Sequence, residues 1–453
     1  MVTISPPEAA ANTSEAPDTV RAAPPPSAAY QTYALWLLMA VYVVNFIDRT
    51  IIYMLVEPIK NELKLLDWQL GLLSGMAFGL VYMAFSFPLA VAADRYHRPR
   101  LIAVCLAVWS AFTGACGLAQ NFLQMVLARA GVGIGEAGCV PAAHALIADS
   151  TPSERRASAL SFFAIGAPLG QLIGFMMAGY LADQFGWRWA FFVAAAPGFI
   201  LTVFVFFTLR EPRERVSKSR QDEGATMMET LRYLRHKSAY WKLGAGASIR
   251  AFISYGHGPF LASFFYRAHP EEVAQLSGSL GMQAQTFVGV SQAFSTGLMG
   301  MIGIWVGGRL ADRAAARDIA AYGTISSIST LVLVPLMVWS FLTGSLLLAI
   351  LLQGIALFVQ AFWAGPVYAS AQSMVPAAMR AKSSAIMIFM INFGGLLFGA
   401  LCVGALSDVL SIWGGFEPGE ALRWALIGTV VASIASAPVF WSARRTLAAE
   451  MES

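Results

Sequence analysis

A few charged residues lie inside stretches of sequence that are otherwise apolar, and they are the strongest candidates for chemistry. Asp48 and Arg49 follow Asn45, with apolar residues on both sides, and Arg129 precedes Glu136 by seven positions. Seven residues make about two turns of an α-helix, so Arg129 and Glu136 share one helix face. A charge at the centre of a bilayer costs at least about 2.5–3.5 kcal/mol, so we expect these side chains to face a central cavity.

The chemistry that these residues could perform is reversible protonation of Asp48 or Glu136. Burial favours the neutral form of a carboxyl group, whereas a nearby arginine favours the carboxylate. A contact between a carboxylate and an arginine that is made in one conformation and broken in another would therefore change the proton affinity. Arg49 and Arg129 would be the partners of the carboxylates or would bind an anion. The alternative is a permanent ion cluster that fixes helix packing.

A second pair of polar residues, Arg250 and His257, repeats the spacing of seven. Both are expected to point toward the same central cavity, where Arg250 could meet an anionic group. A histidine on an apolar helix more often bonds to a neighbouring helix than to a ligand, so His257 remains open between the two roles.

The composition defines the kind of protein that must position these residues. Of the 453 residues, 57% are hydrophobic and 12% are charged, whereas soluble proteins carry about 25% charged residues. Uncharged runs such as residues 191–209 approach the length that crosses a bilayer. We therefore expect an all-α polytopic membrane protein and exclude a soluble enzyme.

Twelve apolar segments follow residue 30, centred near residues 44, 80, 110, 135, 168, 200, 252, 293, 330, 357, 396 and 432. Of the 27 basic residues outside these segments, 22 fall on one side of the membrane and 5 on the other. This asymmetry predicts cytoplasmic termini, and the short loops favour a multi-pass protein of a bacterial inner membrane. The expected parts are a disordered tail (1–30), an N-terminal six-helix bundle (31–212), a linker with an amphipathic helix (213–238), a C-terminal six-helix bundle (239–445) and a tail (446–453).

The two predicted bundles carry related motifs. Asp94-Arg95 in the first recurs as Asp312-Arg313 in the second, and Pro152, with an arginine four positions on, recurs as Pro376 at nearly the same offset. Similar offsets at matching positions indicate a duplicated six-helix unit, which is common in transporters. The candidate hinges or static kinks are Gly166, Pro168 and Gly170 in the fifth segment and Pro366 in the tenth.

Other motifs do not indicate catalysis or nucleotide binding. Gly133, Gly135 and Gly138 match a dinucleotide fingerprint, but they lie within an apolar segment with no strand before them. Gly131, Gly135 and Gly138 instead share a face that would let helices approach closely. The four cysteines and five histidines are scattered, so we expect no metal, no cofactor and no nucleic acid partner.

Several motifs resemble those of a known superfamily. Gly308-x-Leu310-Ala311-Asp312-Arg313 is similar to the loop motif of the major facilitator superfamily, and residues 90–98 form a first copy without the leading glycine. Phe46-Ile47-Asp48-Arg49, the segment Arg129–Ala137 and Arg210-Glu211-Pro212 resemble the spinster family, whose animal members export lysolipids and sphingosine-1-phosphate.

The resemblance implies specific roles. Asp48 and Arg49 would form the proton-linked pair, Glu136 would line the cavity, and Arg129 would support it. The gating residues would be Asp94 and Asp312, which contact the N-terminal end of a helix in the opposite bundle, together with Arg95, Arg98, Arg313 and Arg317. The full set expected to line the substrate cavity is Asn45, Arg129, Glu136, Arg250, His257, Phe362, Trp363, Phe389, Asn392 and Phe393.

The resulting hypothesis is a monomeric, proton-coupled secondary transporter of an amphiphile such as a lysolipid or sphingolipid, working by alternating access. The proton gradient would drive it, and its partners would be membrane lipids, protons and the substrate. The main alternative is a proton-coupled carrier of a small organic anion or drug. A membrane receptor or lipid-modifying enzyme is the remote alternative, because the short loops supply neither a ligand-binding domain nor a catalytic constellation.

Overall fold

The computed structural model describes residues 27–211 and 226–451, and within those ranges the secondary structure is entirely helical. Eleven of the described helices are long and apolar enough to cross a membrane. The helix Ser238–His257 has 20 residues and sits between them in the chain, but Lys242 and Arg250 lower its hydropathy. Spans 1 to 12 are Ala28–Met54, Asp67–Ala93, Arg98–Leu118, Phe122–Ser150, Ser158–Phe185, Trp187–Thr208, Ser238–His257, Ala284–Ala315, Ala321–Leu342, Leu346–Ser373, Lys382–Ile412 and Pro418–Glu450.

The packing order of the spans repeats between the two halves of the chain. Span 1 packs on spans 5 and 6, span 3 on spans 4 and 6, and span 2 on span 4. In the second half, span 7 packs on spans 11 and 12, span 9 on spans 10 and 12, and span 8 on span 10. Each contact therefore has its counterpart six spans later, which confirms the two pseudo-symmetric six-helix bundles.

The glycine face predicted in span 4 lies against span 3. A Cβ atom at Gly135 would come 2.5 Å from the backbone nitrogen of Trp109, and one at Gly138 would come 2.8 Å from Cys105 Sγ. Close helix approach, the packing role expected for these glycines, is therefore confirmed.

Two of the predicted irregular stretches are present. A turn at Ile165 interrupts span 5 just before Gly166, and span 10 contains a 3-10 turn over Ala361–Trp363. Gly166 also lies against span 1, where a Cβ would meet the carbonyl oxygen of Met39 at 3.0 Å. Motion at Gly166, Pro168, Gly170 or Pro366 stays a prediction.

In the described ranges, four short α-helices and the 3-10 turn Ala377–Met379 connect the spans. Val56–Leu63 joins spans 1 and 2, whereas Leu261–Ala268 and Pro270–Ser279 join spans 7 and 8. The predicted amphipathic helix is present as Met227–Leu234, with the expected capping box between Thr226 and Glu229. Residues 28–30, which were predicted to end the disordered tail, instead begin span 1. Tail residues 1–26 and linker residues 213–225 lie outside the described residues.

The two halves meet mainly on one side of the molecule. We call the side that carries Ser27 and Met451 the terminal face and the opposite side the far face. Span 5 packs on span 8, and span 2 packs on span 11. Among the described residues, the hydrogen bonds and ion pairs that join the halves all lie at the far face. The molecule is therefore closed at the far face.

Candidate functional site

The centre of the N-terminal half contains an ion pair between spans 1 and 4. Arg49 donates through Nε to Glu136 Oε2 at 2.6 Å, and Glu136 is fully buried. The guanidinium carbon of Arg49 also lies 5.0 Å from the ring centre of Phe78 and 4.9 Å from that of Tyr82. The two rings and the carboxylate together hold the guanidinium in one orientation.

Asp48 is buried beside this pair but does not bind its sequence neighbour. Its side chain is 1% exposed, and Thr113 Oγ1 of span 3 donates to its Oδ2 at 3.1 Å. The expected contact between Asp48 and Arg49 is not formed, because successive side chains on a helix diverge by about 100° and Arg49 points to Glu136. Arg129 and Glu136 both lie close enough to Asp48 to interact with its charge.

Arg129 approaches the cluster from span 4 and reaches an irregular turn of span 2. Its Nε donates to the carbonyl oxygen of Leu73 at 3.4 Å, within the π-helical turn Leu72–Met76. π-turns loosen the regular backbone hydrogen bonding and often occur at functional sites. Arg129, Arg49, Asp48 and Glu136 together give two positive and two negative groups when all are ionised.

A group of tyrosines around this cluster was not found by the sequence reasoning. Tyr82 of span 2 and Tyr255 of span 7 lie near enough to Arg49 to interact with its charge. Tyr42 and Tyr53 of span 1 have Arg49 within the same range. Because Tyr255 belongs to the C-terminal half, Arg49 faces the seam between the halves. No spacing rule in the sequence marks tyrosines from three different spans as neighbours.

Arg250 and His257 lie in the interior of the C-terminal half rather than beside the Asp48 cluster. Arg250 is fully buried, and its Nη2 donates to the carbonyl oxygen of Gln360 at 3.2 Å. In the described part of the chain, Nε and Nη1 of Arg250 have no hydrogen-bond partner. His257 Nε2 bonds to Thr429 of span 12 at 2.9 Å, which matches the helix-facing alternative for that histidine.

The remaining residues expected in the cavity divide into three groups. Asn45 is buried next to Glu136. Trp363 is buried in the core of the C-terminal half, and Phe362 packs against Gly307 of span 8. Phe389 and Phe393 are 55% and 48% exposed, and Asn392 between them is half-buried.

Phe389 and Phe393 lie along the seam between spans 2 and 11. They share a helix face with Leu396 and Ala400, which contact Gly75 and Gly71 of span 2. Toward the terminal face, span 2 no longer covers span 11, and the two phenylalanine rings stack on each other at 5.9 Å instead. An apolar surface is therefore open where the halves separate.

The residues of the predicted gating motif lie near the terminal face. Arg95, Asp312, Arg313 and Arg317 are exposed, and the side chain of Asp94 lies outside the part that the structure describes. Arg98, the remaining residue of the predicted gating motif, is not exposed like the others.

Arg98 is fully buried within the N-terminal half. Its Nη1 binds Asp149 at 2.8 Å, and its backbone nitrogen donates to Glu211 at 2.8 Å. Arg98 therefore ties the ends of spans 3, 4 and 6 together, and none of its hydrogen bonds or ion pairs with described residues crosses the seam. The contact of Asp94 and Asp312 with the opposite bundle stays a prediction for the conformation in which the terminal face is closed.

The far face is closed by two carboxylates that cap helices of the opposite half. Asp408 of span 11 accepts from the backbone nitrogens of Asp67 and Trp68 at 3.1 and 2.7 Å. Asp183 of span 5 accepts from the backbone nitrogen of Thr286 at 2.6 Å. The first N–H groups of a helix have no partner within the helix, and they carry its positive dipole end. Each carboxylate therefore satisfies a helix start across the seam.

These two caps follow the internal repeat of the sequence. The offset from Asp183 to Asp408 nearly matches that between the two proline motifs, and the offset from Trp68 to Thr286 equals that between the two Asp-Arg motifs. Each carboxylate and each capped helix start therefore occupies an equivalent position in its own half. The sequence reasoning missed the caps, although a search for acidic residues at these offsets would have found them.

An ionic network strengthens the closure beside Asp408. Arg267 donates to both carboxylate oxygens of Asp67 at 2.7 and 2.9 Å, and to Glu57 at 2.8 Å. Burial disfavours its charged form, but the hydrogen bonds and charges of Asp67 and Glu57 outweigh burial and raise the pKa of Arg267. Arg267 therefore stays charged.

Two duplicated bundles with buried ionisable groups at their seam define the class of secondary transporters. Comparison with known proteins identifies the family. The profile of the Major Facilitator Superfamily matches residues 38–400, and the chain belongs to this superfamily.

Particular relatives confirm the resemblance to the spinster family. A bacterial homolog of the human lysosomal transporter spinster, solved in an inward-facing and unoccupied conformation, superposes with a TM-score of 0.82 at 27% identity, over 94% of this chain and 100% of that one. The probable sphingolipid transporter spinster homolog 1 of Arabidopsis thaliana is 32% identical over 38% of this chain and 35% of its own length. An MFS-type efflux pump of Mycolicibacterium smegmatis is 31% identical over 83% of this chain and 85% of its own length.

Proposed function

We propose that this transporter couples proton movement to the translocation of an amphiphilic substrate with an anionic or zwitterionic head group. The observation that carries the proposal is the position of the polar cluster relative to the apolar seam. Arg49 faces the seam beside Asp48 and Glu136, and the exposed Phe389 and Phe393 line the same seam nearer the terminal face. A head group and an acyl tail would each find a matching surface.

The proposed coupling uses Arg49 as the group that changes partner. When Glu136 is ionised, its carboxylate binds the guanidinium of Arg49, with Oε2 2.6 Å from Nε. Protonation of Glu136 would remove the negative charge that holds Arg49. Arg49 could then turn to Asp48 or to an anionic head group. The protonation state of Glu136 would thereby determine whether Arg49 is free to bind a substrate at the seam. Coupled transport requires such a link between proton binding and substrate binding.

Arg250 is the proposed second contact for the head group. A buried guanidinium with two unpartnered nitrogens in the described structure is costly unless an anion reaches it. Span 7 carries both Arg250 and Tyr255, so a movement of this span at the seam would bring Arg250 and Arg49 into one binding site.

The probable sphingolipid transporter of Arabidopsis thaliana among the relatives supports a lipid substrate. The hexuronate transporter of Bacillus subtilis, 27% identical over 60% of this chain, supports the second candidate, a proton-coupled carrier of a small organic anion or drug. That candidate uses the same charged cluster but has no use for the apolar seam.

The topology proposed with this function places the terminal face in the cytoplasm of a bacterial inner membrane. The far-face closure then corresponds to an inward-facing state. Arg188 and Arg267, which the charge asymmetry assigns to the outer side, both form ion pairs at the far face.

The test measures substrate uptake by the purified protein in proteoliposomes, with a pH gradient imposed across their membrane. A fluorescent lysolipid should accumulate against its concentration gradient in one direction, and a protonophore should abolish the accumulation. Short carboxylates should not compete. Competition by short carboxylates without lysolipid transport would favour the organic-anion carrier, and accumulation that resists the protonophore would contradict proton coupling.

A further inference from the structure

The linker helix Met227–Leu234 has one face that is packed on the protein and another that is free. On the packed face, Thr230 and Leu234 are fully buried, and Leu234 joins the apolar core at the terminal face of the C-terminal half. The indole nitrogen of Trp241 donates to the carbonyl oxygen of Leu234 at 2.8 Å. The helix is therefore held in a defined orientation.

The free face combines an apolar side chain with two cations. Met228 is 66% exposed, and Arg232 and Arg235 are also exposed. Positions 228, 232 and 235 follow the spacing of one helix face. Glu229 is close enough to Arg232 for their charges to interact, and Arg235 Nε contacts the ring of His236 at 2.8 Å. Within the described residues, no further hydrogen bond to either guanidinium group is formed.

The depth of this face follows from its connection to span 7. Leu234 is four residues before Ser238, the first residue of the span, and the anchoring Trp241 lies in its first turn. Trp side chains at span ends are typical of the membrane interface. We therefore expect the helix to lie at the level of the lipid head groups, where Met228 would enter the apolar layer.

We propose that the face formed by Met228, Arg232 and Arg235 binds anionic phospholipid head groups of the leaflet at the terminal face. The charge complementarity favours this occupant, since the arginines match phosphate and an exposed methionine matches the acyl boundary. The site is separate from the transport seam and does not depend on the identity of the substrate.

The experiment measures the midpoint of thermal unfolding, Tm, of the full-length protein in detergent during titration with phosphatidylglycerol. The lipid should raise Tm, and phosphatidylcholine should raise it less. An R232Q/R235Q variant should keep the Tm of the wild type without lipid, because both side chains are exposed. Its half-saturating lipid concentration should increase about fivefold for each arginine removed.

Matched controls distinguish the site from general surface charge. R155Q/R156Q removes two exposed arginines from the N-terminal half at the same face and should leave the titration unchanged. R232K/R235K, which keeps the charges, should retain most of the effect, and glycerol 3-phosphate should produce none. An unchanged titration in R232Q/R235Q, or an equal loss in R155Q/R156Q, would overturn the proposal. A response to glycerol 3-phosphate equal to that of the lipid would also overturn it, since the site would then bind free phosphate.

Discussion

Arg49 and Glu136, which lie 87 positions apart in the chain, form the closest ion pair at the centre of the N-terminal half, at 2.6 Å. The pair leaves Asp48, the neighbour of Arg49, with a hydrogen bond from Thr113 and no arginine at hydrogen-bond distance among the described residues. Asp48 and Glu136 therefore lie in the same buried cluster, but only Glu136 is paired with an arginine. This asymmetry is the basis of the proposed coupling.

Glu136→Gln should destabilise the protein by about 1–3 kcal/mol, because it replaces the charge-assisted hydrogen bond of Arg49 by a neutral one. The expected readout is a lower Tm in detergent. The matched control is Glu62→Gln, which breaks the half-exposed pair with Arg188 and should cost less than about 1 kcal/mol. Equal losses in the two variants would show that the central pair contributes no more than a surface pair.

The fold was predictable from the sequence because hydropathy and charge asymmetry act over whole segments. Twelve spans, the two halves and the glycine face of span 4 follow from such patterns. The partners of Arg49 were not predictable, because helix rotation decides whether an arginine meets the residue beside it or one from another span. The same limit applied to Tyr255, which reaches Arg49 only after the halves assemble.

The far-face caps should control the equilibrium between the open and closed far face. The carboxylate charge at each helix start contributes about 0.3–2 kcal/mol to closure, so Asp408→Asn, which removes that charge, should raise the open population about two- to thirty-fold. Asp183→Asn should act in the same direction through Thr286. The measurement is the distance between spin labels at Asn61 and Gln275, which are exposed at the far face of the two halves.

In this experiment the native cysteines are replaced first, and Asp318→Asn, an exposed carboxylate at the terminal face, serves as the control. The Asp408→Asn and Asp183→Asn variants should gain a population with a longer distance between the labels, which the control should lack. An unaltered distance distribution in both Asp408→Asn and Asp183→Asn would contradict the role of the caps.

Arg250→Met should stabilise the protein while weakening transport. The buried guanidinium donates to the carbonyl oxygen of Gln360 and leaves two nitrogens unpartnered in the described structure. An apolar side chain of similar length should therefore raise the unfolding free energy by about 1 kcal/mol or more. If Arg250 contacts the head group, KM for the amphiphile should increase at least tenfold. A variant with lower stability and an unchanged KM would assign Arg250 to the structural framework instead.

The phenylalanines at the seam should matter for amphiphiles and not for small anions. F389A/F393A removes two exposed rings between spans 2 and 11, whereas F206A/F207A removes two exposed rings from span 6, away from the seam. Lysolipid uptake should fall at least fivefold only in F389A/F393A, since loss of two rings that a bound tail covers would cost more than about 1 kcal/mol. Equal uptake in the two variants would show that the substrate does not bind along the seam.

The most direct test of the central claim follows proton movement with substrate rather than uptake alone. Proteoliposomes contain a pH-sensitive dye, and the amphiphile is added outside without an imposed pH gradient. The wild type should change the internal pH as substrate moves, and the Asp318→Asn variant, which leaves both buried carboxyl groups in place, should do the same. Asp48→Asn should move substrate down its gradient with no change in pH, because Arg49 then has no second carboxylate to turn to when Glu136 is protonated. An internal pH change in Asp48→Asn equal to that of the wild type would contradict a coupling in which Arg49 exchanges Glu136 for Asp48.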